Sequence, residues 1–127
     1  MIETLVNALA KENVALNDTQ ISQFEKYYQL LIEWNEKMNL TAITEPTEVA
    51  IKHFYDSITF LFHTDIKECG KVIDVGTGAG FPGIPLKIMR PDIQLTLLDS
   101  LNKRLIFLQE VCDNIGIDAE IIHKRAE

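Results

Sequence analysis

The sequence contains no apolar run close to the roughly 18 consecutive residues that a membrane-spanning helix needs. Its amino terminus, Met-Ile-Glu-Thr-Leu, has no basic segment followed by an apolar one, so a secretory signal is not expected. Cysteine is scarce. Cys69 and Cys112 are the two cysteines, and they lack the spacing of a metal site or a redox pair. These absences predict a cytoplasmic protein with reduced thiols, no membrane segment and no bound metal.

Positive charge is also in short supply. The 127 residues include 12 Lys and Arg against 19 Asp and Glu, and residues 1–70 alone hold 11 acidic and 5 basic side chains. Binding to nucleic acid depends largely on neutralising phosphates, so the composition by itself argues mildly against an RNA partner. Three short basic clusters remain as candidate phosphate contacts: Lys87 with Arg90, Lys103-Arg104, and Lys124-Arg125.

Glycine is rare outside one segment, which follows an apolar run at residues 72–75. Four of the 6 glycines fall there, at Gly76, Gly78, Gly80 and Gly83. A buried strand that ends in a glycine-rich turn and opens a helix brings backbone close to a nucleotide-like ligand. Further on, the run Leu95-Thr-Leu-Leu-Asp99 predicts a second buried strand that ends in a carboxylate, which can accept hydrogen bonds from ribose hydroxyls. The sequence therefore predicts an adenosine-containing cofactor.

Asp74, two residues before the first glycine, discriminates between two such cofactors. The spacing of Gly78, Gly80 and Gly83 with Asp99 also satisfies the dinucleotide fingerprint. A dinucleotide would bring a doubly charged pyrophosphate to this turn, where the Asp74 carboxylate would repel it. S-adenosylmethionine has positive sulfonium and ammonium groups and no phosphate, so the pattern favours it over NAD. An NAD-dependent oxidoreductase stays the alternative, and Asp74 can also brace the turn by accepting backbone N–H bonds.

Residues 1–66 are predicted to form a helical region. A short first helix has Ile2, Leu5 and Leu9 on one face. The second helix has an N-cap at Asn17-Asp18, apolar positions Ile21, Phe24, Tyr28, Leu31 and Ile32, and a C-cap at Asn39. The third helix starts at Pro46 and continues through Val49, Ile51, Phe54, Ile58 and Leu61.

Residues 67–127 are predicted to form half of a parallel sheet domain. Strands at 71–75, 94–98 and 119–123 alternate with helices at 81–90 and 101–115, which predicts right-handed crossovers and the strand order 3-2-1. The strand at 71–75 would then be an unpaired edge, and the cofactor cleft would lack one wall. The fold class is α/β: an N-terminal helical unit followed by the first βαβαβ half of a Rossmann-like sheet.

The whole chain resembles the GidB/RsmG family of bacterial small-subunit rRNA methyltransferases. The motifs that carry the resemblance are Trp34-Asn-Glu-Lys-Met-Asn-Leu-Thr-Ala-Ile43, Lys52-His-Phe-Tyr-Asp-Ser57, Asp74-Val-Gly-Thr-Gly-Ala-Gly-Phe-Pro-Gly-Ile-Pro85, Leu98-Asp-Ser-Leu-Asn-Lys-Arg104 with Phe107-Leu108, and Arg125-Ala-Glu127. The resemblance implies a class I methyltransferase fold, S-adenosylmethionine as cofactor, and methyl transfer to guanine N7 in 16S rRNA of the small ribosomal subunit. Family members are longer, which implies a C-terminally truncated chain that lacks most of the guanine pocket.

The resemblance also implies roles for individual residues. Gly76, Gly78 and Phe81 would contact the cofactor in the glycine turn, Asp99 would hold the ribose, and Ala126 with Glu127 would line the adenine. No catalytic residue is assigned, because guanine N7 has a free lone pair and needs no general base.

Three further residues carry interpretations of their own. Trp34 is interpreted as a core aromatic. His53 and Asp56 lie three apart on one helix face, where they either line the cleft or brace the helix. Because the cleft would be incomplete, we expect weak cofactor affinity, self-association through the strand at 71–75, and a non-catalytic fragment as the alternative to an active enzyme.

Overall fold

The computed structural model describes residues 1–124, which form an N-terminal group of helices followed by a three-stranded sheet with its crossover helices. The elements are α1 (Ile2–Ala10), α2 (Asp18–Met38), α3 (Pro46–Glu48), a π-helix (Val49–Tyr55), α4 (Asp56–His63), β1 (Lys71–Val75), α5 (Gly83–Met89), β2 (Gln94–Asp99), α6 (Asn102–Ile115) and β3 (Ala119–His123). The order of elements confirms the α/β prediction. The predicted strand and crossover-helix boundaries are each within two residues of the observed ones. Ala126 and Glu127, which the resemblance places at the adenine, lie outside the described residues.

The ends of α2 follow the predicted capping residues. The Asn17 side chain accepts a hydrogen bond from the Gln20 backbone N–H, and the Gln20 side chain accepts one from the Asn17 N–H. This reciprocal pair satisfies two N–H groups that would otherwise have no partner in the first turn. At the other end, Asn39 has the left-handed conformation, with φ of 47°, that stops a helix.

The buried face of α2 differs in part from the predicted one: Leu30 is buried as well, while Ile21 and Ile32 are only partly buried. Tyr27 is fully buried with Phe24 and Leu31, whereas Tyr28 is partly exposed and donates its hydroxyl to the Thr44 carbonyl. Both tyrosines fit an apolar helical stripe, and packing against the π-helix and the glycine turn decides which one turns inward.

The third helix is not a continuous α-helix as predicted. It begins at Pro46, widens into the π-helix Val49–Tyr55, and returns to α-helical geometry in α4. The wider turn moves the buried face, so that Ala50 is buried while Ile51, expected to be inside, is 38% exposed. The π-helix therefore shifts the side chains that follow it relative to a regular helix.

The helical region and the sheet share one core. Buried residues of α1, α2 and the π-helix pack with those of α5, β2 and α6 in a single apolar cluster. Trp34 is partly buried in this arrangement, with its ring centroid 5.9 Å from that of Phe107 on α6, as expected for a core aromatic. The helical region is thus packed directly on the elements that carry the glycine turn.

The sheet is parallel, in the order β1-β2-β3, with β1 at one edge. This confirms the predicted order and the predicted unpaired edge. One face is covered by helices and buries Asp74, Leu95 and Leu97. The other face is open: Ile73 is 63% exposed and Val75 is 59% exposed. Parallel sheets normally have both faces covered, so this half of the domain has an unsatisfied apolar surface.

Over the described range 1–124, the helices are too short or too polar for any of them to cross a membrane.

Candidate cofactor-binding site

The glycine turn leaves the carboxyl end of β1 beside the end of β2. The backbone N–H groups of Gly76 and Thr77 both donate to the Leu98 carbonyl, at 2.8 and 3.1 Å. Gly76 and Gly78 have φ of 66° and 60°, in the left-handed region that favours glycine. A Cβ atom added at either position would meet nothing within 4 Å. The outer side of the turn is therefore open, and a ligand can approach its backbone.

The other two glycines of the motif serve packing instead. A Cβ at Gly80 would lie 2.5 Å from the Tyr27 hydroxyl oxygen, and the φ of Gly80 itself is 102°. A Cβ at Gly83 would lie 2.8 Å from Cδ2 of Leu97 and 2.9 Å from Oδ2 of Asp74. Gly80 lets α2 approach the turn, and Gly83 lets α5 sit close to the sheet. The motif thus combines an open half and a closely packed half.

Asp74 braces the turn from inside. Its Oδ2 accepts hydrogen bonds from the Thr77 hydroxyl at 2.7 Å and from the Gly83 N–H at 2.9 Å. Burial raises the pKa of Asp74 above its ordinary value, against the effect of these two hydrogen bonds, and the nearby charge of Asp99 raises it further. The bracing role considered for Asp74 is therefore present in the structure.

Asp99 braces the same turn from the side of β2. Its Oδ2 accepts the Gly78 N–H and its Oδ1 accepts the Leu101 N–H, each at 2.9 Å. Arg104 approaches Oδ1 at 3.5 Å, and the Asp99 side chain is only 1% exposed. The predicted carboxylate thus lies at the glycine turn, where it holds backbone. Its contact with a ribose stays a prediction.

Phe81 connects the turn to the helical region. Its ring stacks on that of His53, with centroids 4.4 Å apart and planes 8° apart, and on that of Tyr27, with centroids 5.6 Å apart. The Tyr27 hydroxyl donates to the Ala79 carbonyl at 2.6 Å. Tyr27 therefore holds the turn through both a ring contact and a buried hydrogen bond. The sequence offered one signal for this role, since Tyr27 lies three residues after Phe24 on the helix.

His53 belongs to a polar chain that sequence reasoning left open. Its Nε2 lies 2.8 Å from the Thr41 hydroxyl oxygen, and the Thr41 N–H donates to Oδ1 of Asn35. Burial lowers the pKa of His53 below its ordinary value, while Asp56 opposes that shift. The lowered pKa favours the neutral form of the imidazole, whose ring stacks on Phe81. His53 lies beside the turn and Asp56 is exposed, and whether the pair lines the cleft or braces the helix stays a prediction.

The side chains that hold the turn fit a cofactor without phosphate. Asp74 and Asp99 flank the backbone that a ligand would approach. The Asp74 carboxylate would oppose a pyrophosphate, whereas an acid at the position of Asp99 is compatible with either cofactor. The open space at Gly76 and Gly78 gives the room that such a ligand needs. Within residues 1–124, no group of three or more His, Cys, Asp or Glu side chains is placed to hold a metal ion.

Comparison with known proteins gives a consistent result. A family model described as rRNA small subunit methyltransferase G matches residues 20–127. Curated relatives named ribosomal RNA small subunit methyltransferase G include one from Bacillus velezensis, 49% identical over 99% of this chain and 53% of its own length. Others come from Thermoanaerobacter pseudethanolicus, at 54% identity over 99% and 53%, and Desulforamulus reducens, at 56% over 98% and 52%. The chain spans about half the length of these relatives.

Proposed function

We propose a function from one premise: this chain belongs to the GidB family, whose model describes rRNA small subunit methyltransferase G. At the full length of the family, the protein methylates N7 of a guanine in 16S rRNA, with S-adenosylmethionine as the methyl donor. The observation that carries the proposal is the open glycine turn at Gly76 and Gly78, with the Asp74 carboxylate bonded to its inner side, where it would repel a pyrophosphate.

The residues proposed to hold the cofactor are those at the carboxyl edge of the sheet. Gly76 and Gly78 offer open backbone, and Phe81 adjoins them in the same turn. Asp99 ends β2 beside the turn and is the proposed acceptor for the ribose hydroxyls. Ala126 and Glu127 complete the assignment at the adenine. When bound, S-adenosylmethionine supplies a methyl group on a positively charged sulfur.

Methyl transfer to guanine N7 requires the protein mainly to position the two reactants. Guanine N7 has a free lone pair, so no side chain needs to remove a proton before methyl transfer. The task of the chain is to align donor and acceptor, which can supply most of the rate. In an A-form helix N7 lies in a deep, narrow groove, so we expect the target guanine to be unpaired or turned out of its stack.

The open face of the sheet supports a larger domain in the active protein. Ile73 and Val75 are exposed, and β1 has a neighbour on one side only among the described strands. We infer that in a chain of full family length further strands pair with β1 and helices cover this face. The 127-residue chain alone is then a non-catalytic unit that self-associates through the same edge.

The cell compartment is proposed from substrate and thiol chemistry. Cys69 and Cys112 are both free thiols in the structure, a state that a reducing compartment maintains. Together with the proposed ribosomal substrate, this supports a location in the cytoplasm.

Calorimetric titration distinguishes this function from the oxidoreductase alternative. A chain extended to full family length is titrated in parallel with S-adenosylhomocysteine and with NAD⁺. We expect saturable binding of S-adenosylhomocysteine and none of NAD⁺. Binding of NAD⁺ without any response to S-adenosylhomocysteine would overturn the proposal.

A further inference from the structure

A cavity of about 320 Å³ lies next to the glycine turn, where the π-helix and α4 face the start of α5. Its lining includes Lys52, His53, Asp56, Phe60, Phe81 and Pro82. None of the roles described above uses this cavity, although Phe81 belongs to both it and the turn. Its position puts any occupant beside the proposed cofactor.

Three of the lining residues carry unsaturated rings. The rings of His53 and Phe81 are stacked on each other, with an interplanar angle of 8°, which holds both rings in place. Phe60 is 45% exposed although it is a large apolar residue. Exposed aromatic rings that face a cavity are the platforms on which unpaired RNA bases stack. A flat, unsaturated ring is therefore the occupant that these walls suit.

The rim of the cavity carries a free carboxylate. Asp56 is exposed, and its side chain makes no hydrogen bond to any residue in 1–124, whereas Lys52 is paired with Glu48 at 2.8 Å. A carboxylate accepts two parallel hydrogen bonds. Among the RNA bases, guanine presents two adjacent N–H donors on its pairing edge, at N1 and N2, while adenine presents an acceptor at N1. The carboxylate thus favours guanine.

The backbone that supplies this site is itself unusual. His53 lies inside the seven-residue π-helix, and Asp56 follows directly after it. Such wide turns cost stability relative to α-helix and occur frequently at functional sites. Here the π-helix brings His53 against Phe81 and Asp56 to the rim of the cavity, so the wider turn helps to shape this site.

We propose that this cavity binds the guanine base of the substrate RNA. The base stacks on Phe60, the exposed ring of the lining, and Asp56 accepts hydrogen bonds from N1–H and the N2 amino group. Held by its pairing edge, the base keeps N7, on the opposite side of the ring system, free to react. This inference rests on the proposed function and adds to it the residues that recognise the base.

Binding of short RNA tests the inference separately from cofactor binding. A chain of full family length is titrated with a fluorescent, unstructured oligonucleotide that contains one guanine, and with the same oligonucleotide containing inosine, which lacks the N2 amino group. We expect guanine to bind at least about tenfold more tightly, as for a lost hydrogen bond to a charged group. Asp56→Asn should abolish this preference, because asparagine has only one acceptor oxygen, which the N1–H of either base can use.

Phe60→Ala should weaken binding of both oligonucleotides by about tenfold, through lost stacking. Phe62→Ala and Asp65→Asn are the matched controls, because both residues are exposed, close in sequence and outside the cavity lining. The controls should bind RNA like the unmodified protein, and all four variants should bind S-adenosylhomocysteine equally.

Several results would overturn the assignment of the cavity. These are a lack of guanine preference in the unmodified protein, an unchanged preference in Asp56→Asn, or a loss of S-adenosylhomocysteine binding in Phe60→Ala with RNA binding intact. The first two leave cofactor binding, and with it the proposed function, standing. Loss of S-adenosylhomocysteine binding in the unmodified protein would instead remove the proposed function.

Discussion

At the residue scale, the two carboxylates that the sequence places at the ends of β1 and β2 act as braces. Asp74 and Asp99 each accept backbone N–H groups of the glycine turn, at 2.9 Å. A buried acceptor that loses its donors, or donors that lose their acceptor, costs about 1–3 kcal/mol. The two residues therefore fix the backbone that a cofactor would contact, whether or not they also contact the cofactor itself.

The role of Asp99 is tested by removing its carboxylate. In a chain of full family length, Asp99→Ala should weaken S-adenosylhomocysteine binding by about 1.5–3 kcal/mol, the usual cost of lost hydrogen bonds to a charged group. Calorimetric titration well below the unfolding temperature measures this change, with the exposed Asp113 replaced by alanine as control. Equal affinities for Asp99→Ala and the unmodified protein would show that the ribose assignment is wrong.

Tyr27 offers a second test, with a neighbouring tyrosine as its control. Tyr27→Phe leaves the buried Ala79 carbonyl without its donor and should lower the free energy of unfolding by about 1–3 kcal/mol. Tyr28→Phe removes a hydroxyl that bonds the Thr44 carbonyl near the surface, so its loss should be smaller. Urea unfolding of both variants measures the difference. Equal losses would mean that the hydrogen bond to the turn is not a stabilising contact.

The sequence predicted where the residues of the strand–turn–helix motif lie, while their contact with a cofactor stays a prediction. Gly76, Gly78 and Asp99 were placed correctly at one edge of the sheet, because a strand–turn–helix motif fixes where they must lie. Two contacts were missed, that of Tyr27 with the turn and that of Thr41 with His53, since each joins residues far apart along the chain. Such contacts depend on how separate segments pack together, which periodicity within one helix does not encode.

At the scale of elements, the strands and crossover helices were predictable and the π-helix was not. The change from helical periodicity to short apolar runs after Gly70 marks β1, and the same alternation marks β2 and β3. The π-helix differs from an α-helix by about one extra residue in a turn. Over residues 49–55 that difference leaves the apolar pattern nearly the same, so it becomes visible only as the exposure of Ile51.

Substitution by alanine should have different effects on stability at two glycines of the turn. Gly80→Ala should destabilise the protein by about 2–4 kcal/mol, because the new Cβ would meet Tyr27 and Ile84 at a strained φ of 102°. Gly78→Ala should cost about 1–2 kcal/mol, because only its φ of 60° opposes a side chain. Thermal unfolding compares the two variants. A larger loss for Gly78→Ala would contradict the division of the motif into an open and a packed half.

At the scale of the whole molecule, the described structure has an exposed apolar surface on the open face of its sheet. Val75, Leu98 and Ile122 lie side by side on the open face of the sheet at its carboxyl end. Such a surface beside an unpaired strand edge favours association. In a protein of full family length, it is where we expect the rest of the domain to pack.

Self-association of the 127-residue chain follows from this surface. Sedimentation velocity should show dimers that increase with protein concentration, and Ile73→Lys should shift the population to monomers by charging the face beside the edge. Ile106→Lys is the control, since Ile106 is 52% exposed but lies on α6. Monomers at every concentration, or the same shift in the control, would show that the edge of β1 does not mediate self-association.

The central claim is tested most directly by methyl transfer to the small ribosomal subunit. Small-subunit particles that lack the modification are incubated with labelled S-adenosylmethionine and either the 127-residue chain or a chain extended to full family length, and 16S rRNA is then analysed for N7-methylguanosine. We expect the extended chain to label a single guanine and the 127-residue chain to give no turnover. Failure of the extended chain to produce N7-methylguanosine, or turnover by the 127-residue chain alone, would contradict this account.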